Sequence, residues 1–318
     1  MTESKENKRF KVPPAKLSDF ERLHIIEGFN EDVRNDGRSN KQFRPICLET
    51  AVRPQLEGSA RISADHVEIF VGVRAELDTI VDPDAYFATE MPPIRMDFNV
   101  EFSPNGDPRF LGREPQDLAE QVRCALAAAY SNDQALPTLK NLQVAKRLAW
   151  KIYVDVEVNE YDGNVIDYAG IAVKAALMDF RIPDLRRNQS AVLDSTGAEI
   201  EGVDLPPVLE FIELDTSRCP LFITVNIVNE NFAVDVTESE FQCVTSSTCL
   251  AMIINDVNGK LITNPDEQLI TYASTIRRGT AELSTLQELY RVAADALRDL
   301  DERLREAMSQ QKPRNIFP

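Results

Sequence analysis

Apolar residues recur along this chain with two periods, and the changes from one to the other mark its elements. Over DHVEIFVGVRAEL, Val67, Ile69, Val71, Val73 and Ala75 alternate with Glu68, Phe70, Gly72, Arg74 and Glu76. A period of two gives a strand with one core face and one mixed face. The same alternation opens at Trp150, where Ile152, Val154, Val156 and Val158 face one way and Lys151, Tyr153, Asp155 and Glu157 the other. Met96, Phe98, Val100 and Phe102 share a face of a strand over Arg95 to Phe102. Further strands are expected over Phe43 to Arg53, Ser59 to Ser63, PLFITVNIV, NFAVDV, CVTSSTCLAMIIND and, after a VNGK turn, GKLIT.

A helical period takes over elsewhere. Ser18 with Glu21 three residues on has the form of a capping box, followed by Phe20, Leu23, Ile26 and Phe29. Leu118, Val122 and Leu126, with Ala119 and Ala125, predict a helix over about Pro115 to Tyr130. Ile166, Ala169, Gly170, Ala172, Val173, Ala176 and Leu177 predict a helix of small residues that lies close against a neighbouring backbone. From about Pro265 to Met308 the chain reads as helical, with Leu286, Leu289, Ala293, Ala296, Leu297, Leu300 and Leu304 interleaved with charges of both signs.

Breaks complete the outline. Prolines crowd Asp82 to Pro93, SPNGDP is a turn, and Arg181 to Asp215 is cut by Pro183, Gly197, Gly202, Pro206 and Pro207. The expected organisation is a tail over 1–16, a first part over 17–180, a linker with a small hairpin over 181–215 as the domain boundary, and a last part over 216–318 ending in the long helix. Runs of strands between helices, joined by hairpin-length turns, favour an α+β fold over a doubly wound sheet.

Charge narrows the function. Lys and Arg total 35 against 52 Asp and Glu, a net charge of −17. Such a surface repels phosphate chains at long range, so RNA binding requires a local basic lining and DNA is not expected as a partner. No stretch approaches the ~18 unbroken apolar residues of a membrane span. The N-terminus is polar, unlike a signal peptide, and its cluster Lys5 to Lys11 reads as a solvated tail. The five cysteines (Cys47, Cys124, Cys219, Cys243 and Cys249) include no C-x-x-C pair and read as buried reduced thiols of an intracellular protein.

Recognisable catalytic motifs are missing: no phosphate-binding P-loop, no G-x-G-x-x-G turn and no H-E-x-x-H helix. His24 and His66 read as structural. Asp82 and Asp84 are too few donors for a cation site, and Asp235, Glu238 and Glu240 in VDVTESE read as a solvated turn with local Thr237 bonding rather than as a metal site. No metal or cofactor is expected.

Several segments in order nevertheless resemble one family. NDGRSNKQFRPICLET with Asp36, Gly37, Arg38, Phe43, Arg44 and Pro45, then GSAR (Gly58 to Arg61), DHVEIFVGVRAE, WKIYVDVEVNEYDGNVIDYAGIAVKAAL and VDVTESE are similar to the RNase PH fold, and within it to the non-catalytic ring subunits of the RNA exosome. The resemblance runs from about Leu17 to the final helix. It implies a ribosomal protein S5 domain 2-like first half and an RNase PH C-terminal half. It also implies a six-membered ring of such subunits under RNA-binding caps, serving RNA processing and decay in the nucleus, nucleolus and cytoplasm. Active members of the family are phosphorolytic exoribonucleases that hold phosphate at a helix start and use a nearby acid.

This chain departs from the active pattern. Where active members read roughly GGTRTAS it has DGNVIDY, so Asn164 and Val165 replace the phosphate-binding hydroxyl and guanidinium, and Asp167 adds a carboxylate to a helix start that otherwise draws anions. The family's acidic position falls on Arg218-Cys219-Pro220. The resemblance therefore implies an inactive subunit, the alternative being a phosphorolytic exoribonuclease rearranged around Asp235, Glu238 and Glu240. Arg109, Arg113, Lys146, Arg147 and Lys151 are the candidate RNA-phosphate contacts. Trp150 reads as core or interface rather than as a base-stacking platform. Asp36 and Arg38 are expected to pair locally around Gly37.

Overall fold

In the computed structural model, residues 16–79, 96–103, 110, 113–132, 134–145, 148–185, 210–255, 260–262, 268–277, 279 and 283–311 are described. The first half is a sheet of β1 (Cys47–Thr50), β2 (Gly58–Ala64), β3 (Val67–Thr79), β4 (Met96–Phe102) and β6 (Leu148–Glu160), in the order β1-β2-β3-β6-β4, with the short β5 (Gln143–Ala145) pairing β6. Its neighbours are antiparallel except β4 on β6, which is parallel. The alternation does what its period dictates: Val67, Ile69, Val71 and Val73 on β3 and Ile152, Val154, Val156 and Val158 on β6 are buried.

The second half is an antiparallel sheet, β10-β9-β11-β12, made of β9 (Leu221–Val228), β10 (Asn231–Val234), β11 (Ser246–Ile253) and β12 (Leu269–Arg277). β9 and β11 are buried along nearly their whole length, as central strands covered on both faces are. A two-stranded piece, β7 (Arg181–Pro183) with β8 (Phe211–Glu213), stands between the halves.

Five helices complete the described fold: α1 (Asp19–Asn30), α2 (Glu114–Tyr130), α3 (Val165–Asp179), α4 (Glu238–Phe241) and α5 (Leu283–Gln310). α3 is the hinge of the architecture. It packs on β2 and β3 on one side and on β9 on the other, so almost all of it is buried. Gly170 is required there: a Cβ would stand 2.5 Å from the Phe222 ring, so only glycine lets helix and strand approach this closely. One hydrophobic core runs through α3 and joins residues of both halves. α5 lays Leu289, Val292, Ala293, Leu297, Leu300 and Leu304 against that core, and its outer face carries Arg298–Asp295 and Arg303–Asp299 pairs.

Several expectations change. The capping box at Ser18 and Glu21 forms, but α1 buries Ile25 and Phe29 and leaves Phe20 and Leu23 exposed. The segment from residue 269 to 277 is a strand rather than helix, and the described residues of GKLIT, 260–262, carry a single bridge, Asn255 to Leu261. Cys219 and Cys249 are buried, whereas Cys47 and Cys124 are exposed. Asp82 to Pro93, residues 104–108 of the SPNGDP turn and the basic cluster Lys5 to Lys11 lie outside the described residues. Among the described residues no helix is long and apolar enough to cross a membrane.

Candidate functional site

The start of α3, where the resemblance leads one to expect a phosphate site, is covered by the chain itself. The turn before the helix places Gly163 (φ 82°) and Asn164 (φ 61°) in the left-handed region. A Cβ at Gly163 would meet the Val236 carbonyl oxygen at 2.7 Å, so this turn is pressed onto the backbone that follows β10. Asn164 stands at the N-cap without a capping bond, and its amide instead donates to Asp235 Oδ1 at 3.1 Å. Val165 is buried. Asp167 is turned into β9, accepting from the Thr224 N–H at 2.7 Å and the Thr224 hydroxyl at 2.8 Å. Burial pushes its carboxyl up to about 7, and the Thr224 donors offset only part of that push.

Asp235 is the centre of the site. It also has a left-handed backbone (φ 46°), a conformation that Asp tolerates better than most residues. Its carboxylate accepts six hydrogen bonds, from Arg44 N (2.8 Å), Arg44 Nε (3.1 Å), Arg44 Nη2 (2.8 Å), Arg38 Nη1 (3.0 Å), Asn164 Nδ2 (3.1 Å) and the Tyr168 hydroxyl (2.7 Å). Burial alone would raise this carboxyl, but the hydrogen bonds and charge of Arg44, joined by Arg38, hold it down to about 2. The same pairing raises Arg44 against the opposing effect of its own burial. Arg44 also lies over the Tyr168 ring, 5.3 Å from its centroid.

A second buried pair flanks the first. Arg34 donates through Nε to Glu240 at 3.0 Å, closes a shorter contact to the same carboxylate through Nη2, and donates to the carbonyl oxygens of Val234 (3.0 Å) and Asp235 (2.8 Å). Thr237 caps α4, with Glu240 completing a capping box. The local Thr237 bonding is as expected, but the turn is not solvated: Asp235 and Glu240 are buried, and each is answered by arginine. A carboxylate held ionised by guanidinium groups, as Asp235 is, is poorly placed as a general acid, and one enclosed by arginine donors is not an open metal ligand. Among the described residues no group of His, Cys, Asp and Glu is arranged to hold a metal.

Asp36 and Arg38 pair locally at 2.6 Å as expected, and Arg38 reaches past that turn to Asp235. Cys219 sits elsewhere. Its thiol, pushed up to about 12 by burial, lies by Lys174, Asp301 and Tyr130. Lys174 is ten positions along α3 from Asn164, about 15 Å at the helical rise. The two departures from the active pattern thus occupy different regions.

Two of the five basic candidates, Arg113 and Lys151, are described. Arg113 is exposed ahead of α2, 4.0 Å from Asp117, and Lys151 pairs with Asp97 at 2.6 Å on the face of β6 away from the core. Arg109, Lys146 and Arg147 lie outside the described residues. Trp150 packs against the small cluster of Val144, Leu148 and Leu185, and His24 and His66 are exposed. The roles of Arg34 and Tyr168 were not legible, because their carboxylate partners lie far along the chain.

Residues 42–183 match the 3′ exoribonuclease family, domain 1, of the RNase PH type. That match and the fold above give the chain the RNase PH fold. It is 29% identical over 226 residues, 70% of this chain and 76% of the relative, to the exosome complex component Rrp42 of Thermococcus kodakarensis. It is 26% identical to the Rrp42 component of Thermococcus gammatolerans over 283 residues, 88% of this chain and 91% of that one. The Archaeoglobus fulgidus exosome with RNA bound to the active site contains a chain of the same fold, at a TM-score of 0.66 and 20% identity, covering 90% of this chain and 98% of that one.

Proposed function

We propose that this chain is a non-catalytic ring subunit of an RNA exosome, supporting 3′-to-5′ RNA processing and decay through assembly rather than through chemistry of its own. Its partners in this reading are other RNase PH-like ring subunits and RNA-binding caps, and its places of work are the nucleus with its nucleolus and the cytoplasm. The observation that carries the proposal is the neutralised helix start: Asp235 is bound by arginines, and the turn that a phosphate would approach is pressed onto residues 236–238. Arg109, Arg113, Lys146, Arg147 and Lys151 are proposed as weak RNA-backbone contacts, Lys151 being attenuated because Asp97 pairs it.

The test is phosphorolysis. Purified chain incubated with RNA and inorganic phosphate releases no nucleoside diphosphates, and adding it to a ring partner gives only the activity that the partner's own site explains. Phosphate-dependent release by the chain alone would overturn the reading. So would its elution from native extract only at monomer mass, without co-eluting ring subunits.

A further inference from the structure

We propose that Asp235 is a built-in oxyanion: its carboxylate fills and closes a preorganised pocket suited to a small free oxyanion such as formate or phosphate. Six donors converge on one buried carboxylate, two of the contributing side chains being guanidinium groups that remain charged in protein. Nor does the carboxylate use all that the pocket offers. Arg38 Nη2 is buried and has no partner among the described residues, a spare donor beside an anion that has no third oxygen to give it. The carboxylate enters on a left-handed backbone, from the stretch that leads directly into the 236–238 backbone packed on Gly163. The closure and the covered helix start are therefore parts of one device. This inference concerns the chain's own anion chemistry and stands whether or not the chain works in a ring.

The experiment removes the internal anion and offers an external one. Asp235→Gly in the full chain suits the left-handed backbone, so its main loss is the carboxylate. Its thermal midpoint and its refolding yield from denaturant are measured in chloride, formate and phosphate at equal ionic strength, beside wild type and Asp235→Asn. Formate or phosphate is expected to raise the Asp235→Gly midpoint by several degrees over chloride, or its refolded yield severalfold, because binding to the folded state alone stabilises it. Wild type and Asp235→Asn, whose pockets are filled, do not respond in this way. Rescue by formate alone points to a pocket of carboxylate size; rescue by phosphate as well points to use of Arg38 Nη2. Equal behaviour of Asp235→Gly in all three salts, including failure to refold in any of them, overturns the proposal, as does an equal gain in wild type.

Discussion

Asp235 and Asp167 are both buried near the start of α3, yet their surroundings move them in opposite directions. Asp167 binds its proton more tightly folded (about 7) than unfolded (~3.9), so the stability it contributes is full below about pH 4 and is lost as pH rises toward 7. Asp235, held to about 2, contributes stability that is full above about pH 4 and is lost as pH falls toward 2. Urea midpoints measured against pH should therefore lose the decline between pH 4 and 7 in Asp167→Asn and part of the acid-side decline in Asp235→Asn. Burial also sets the size of each pair. Arg44–Asp235 (2.8 Å) and Arg74–Asp155 (2.9 Å) have similar contacts, but the second is exposed. Asp235→Ala is expected to cost about 3–5 kcal/mol by removing the buried carboxylate that two buried arginines share, leaving them only the less buried Asp36 and Asp162, and Asp155→Ala at most ~1 kcal/mol. Urea unfolding of both variants checks the contrast. At this scale the local Asp36–Arg38 pair was legible because it depends on neighbours in the chain, whereas the partners of Asn164 and Asp167 were not, being 71 and 57 residues away. The sequence could not show that Asp235 is saturated, because the donors come from two distant segments, Arg38–Arg44 and Asn164–Tyr168.

Among the elements, α3 is fastened to α5 as well as to the sheets. Lys174 donates to Asp301 at 2.6 Å, and Asp301 is also held by Asn255 (3.3 Å) and Arg305 (2.8 Å). Lys174→Met alone should cost about 3 kcal/mol by stranding part of a buried charge, whereas Lys174→Met with Asp301→Leu should recover most of that loss, a coupling that a double-mutant cycle measures. Gly170→Ala is expected to destabilise by about 1–3 kcal/mol despite better helix propensity, because its methyl meets Phe222; chemical denaturation reads the sign. Strands with clean alternation, β3 and β6, and helices with a clear stripe, α2 and α3, were legible in the sequence. β12 was not. LITYASTIR is rich in β-branched residues, but the leucine period beyond it invited one long helix, and pairing with β11 decides the matter. α1 failed more subtly: its cap was local and readable, while the choice of Ile25 and Phe29 over Phe20 and Leu23 depends on the angle at which it meets β10.

The whole molecule carries its negative surplus alongside buried arginines. Arg34, Arg38 and Arg44 are committed to internal carboxylates and leave little of their charge for a polyanion. The isolated chain is therefore expected to bind RNA weakly, with affinity falling as salt rises and with tighter binding only in the assembly; a salt series of binding isotherms on both forms checks this. The hub also has a consequence for synthesis. Arg34 and its partner Glu240 are 206 residues apart. At ~5–20 residues per second, a ribosome takes roughly 10–40 s to make the second after the first. Throughout that interval Arg34 lacks its Glu240 partner, and Arg38 and Arg44 lack Asp235, with only Asp36 beside Arg38 in the same loop. The first sheet can begin to order on its own strands, but the loop bearing these arginines cannot close until the final third of the chain emerges.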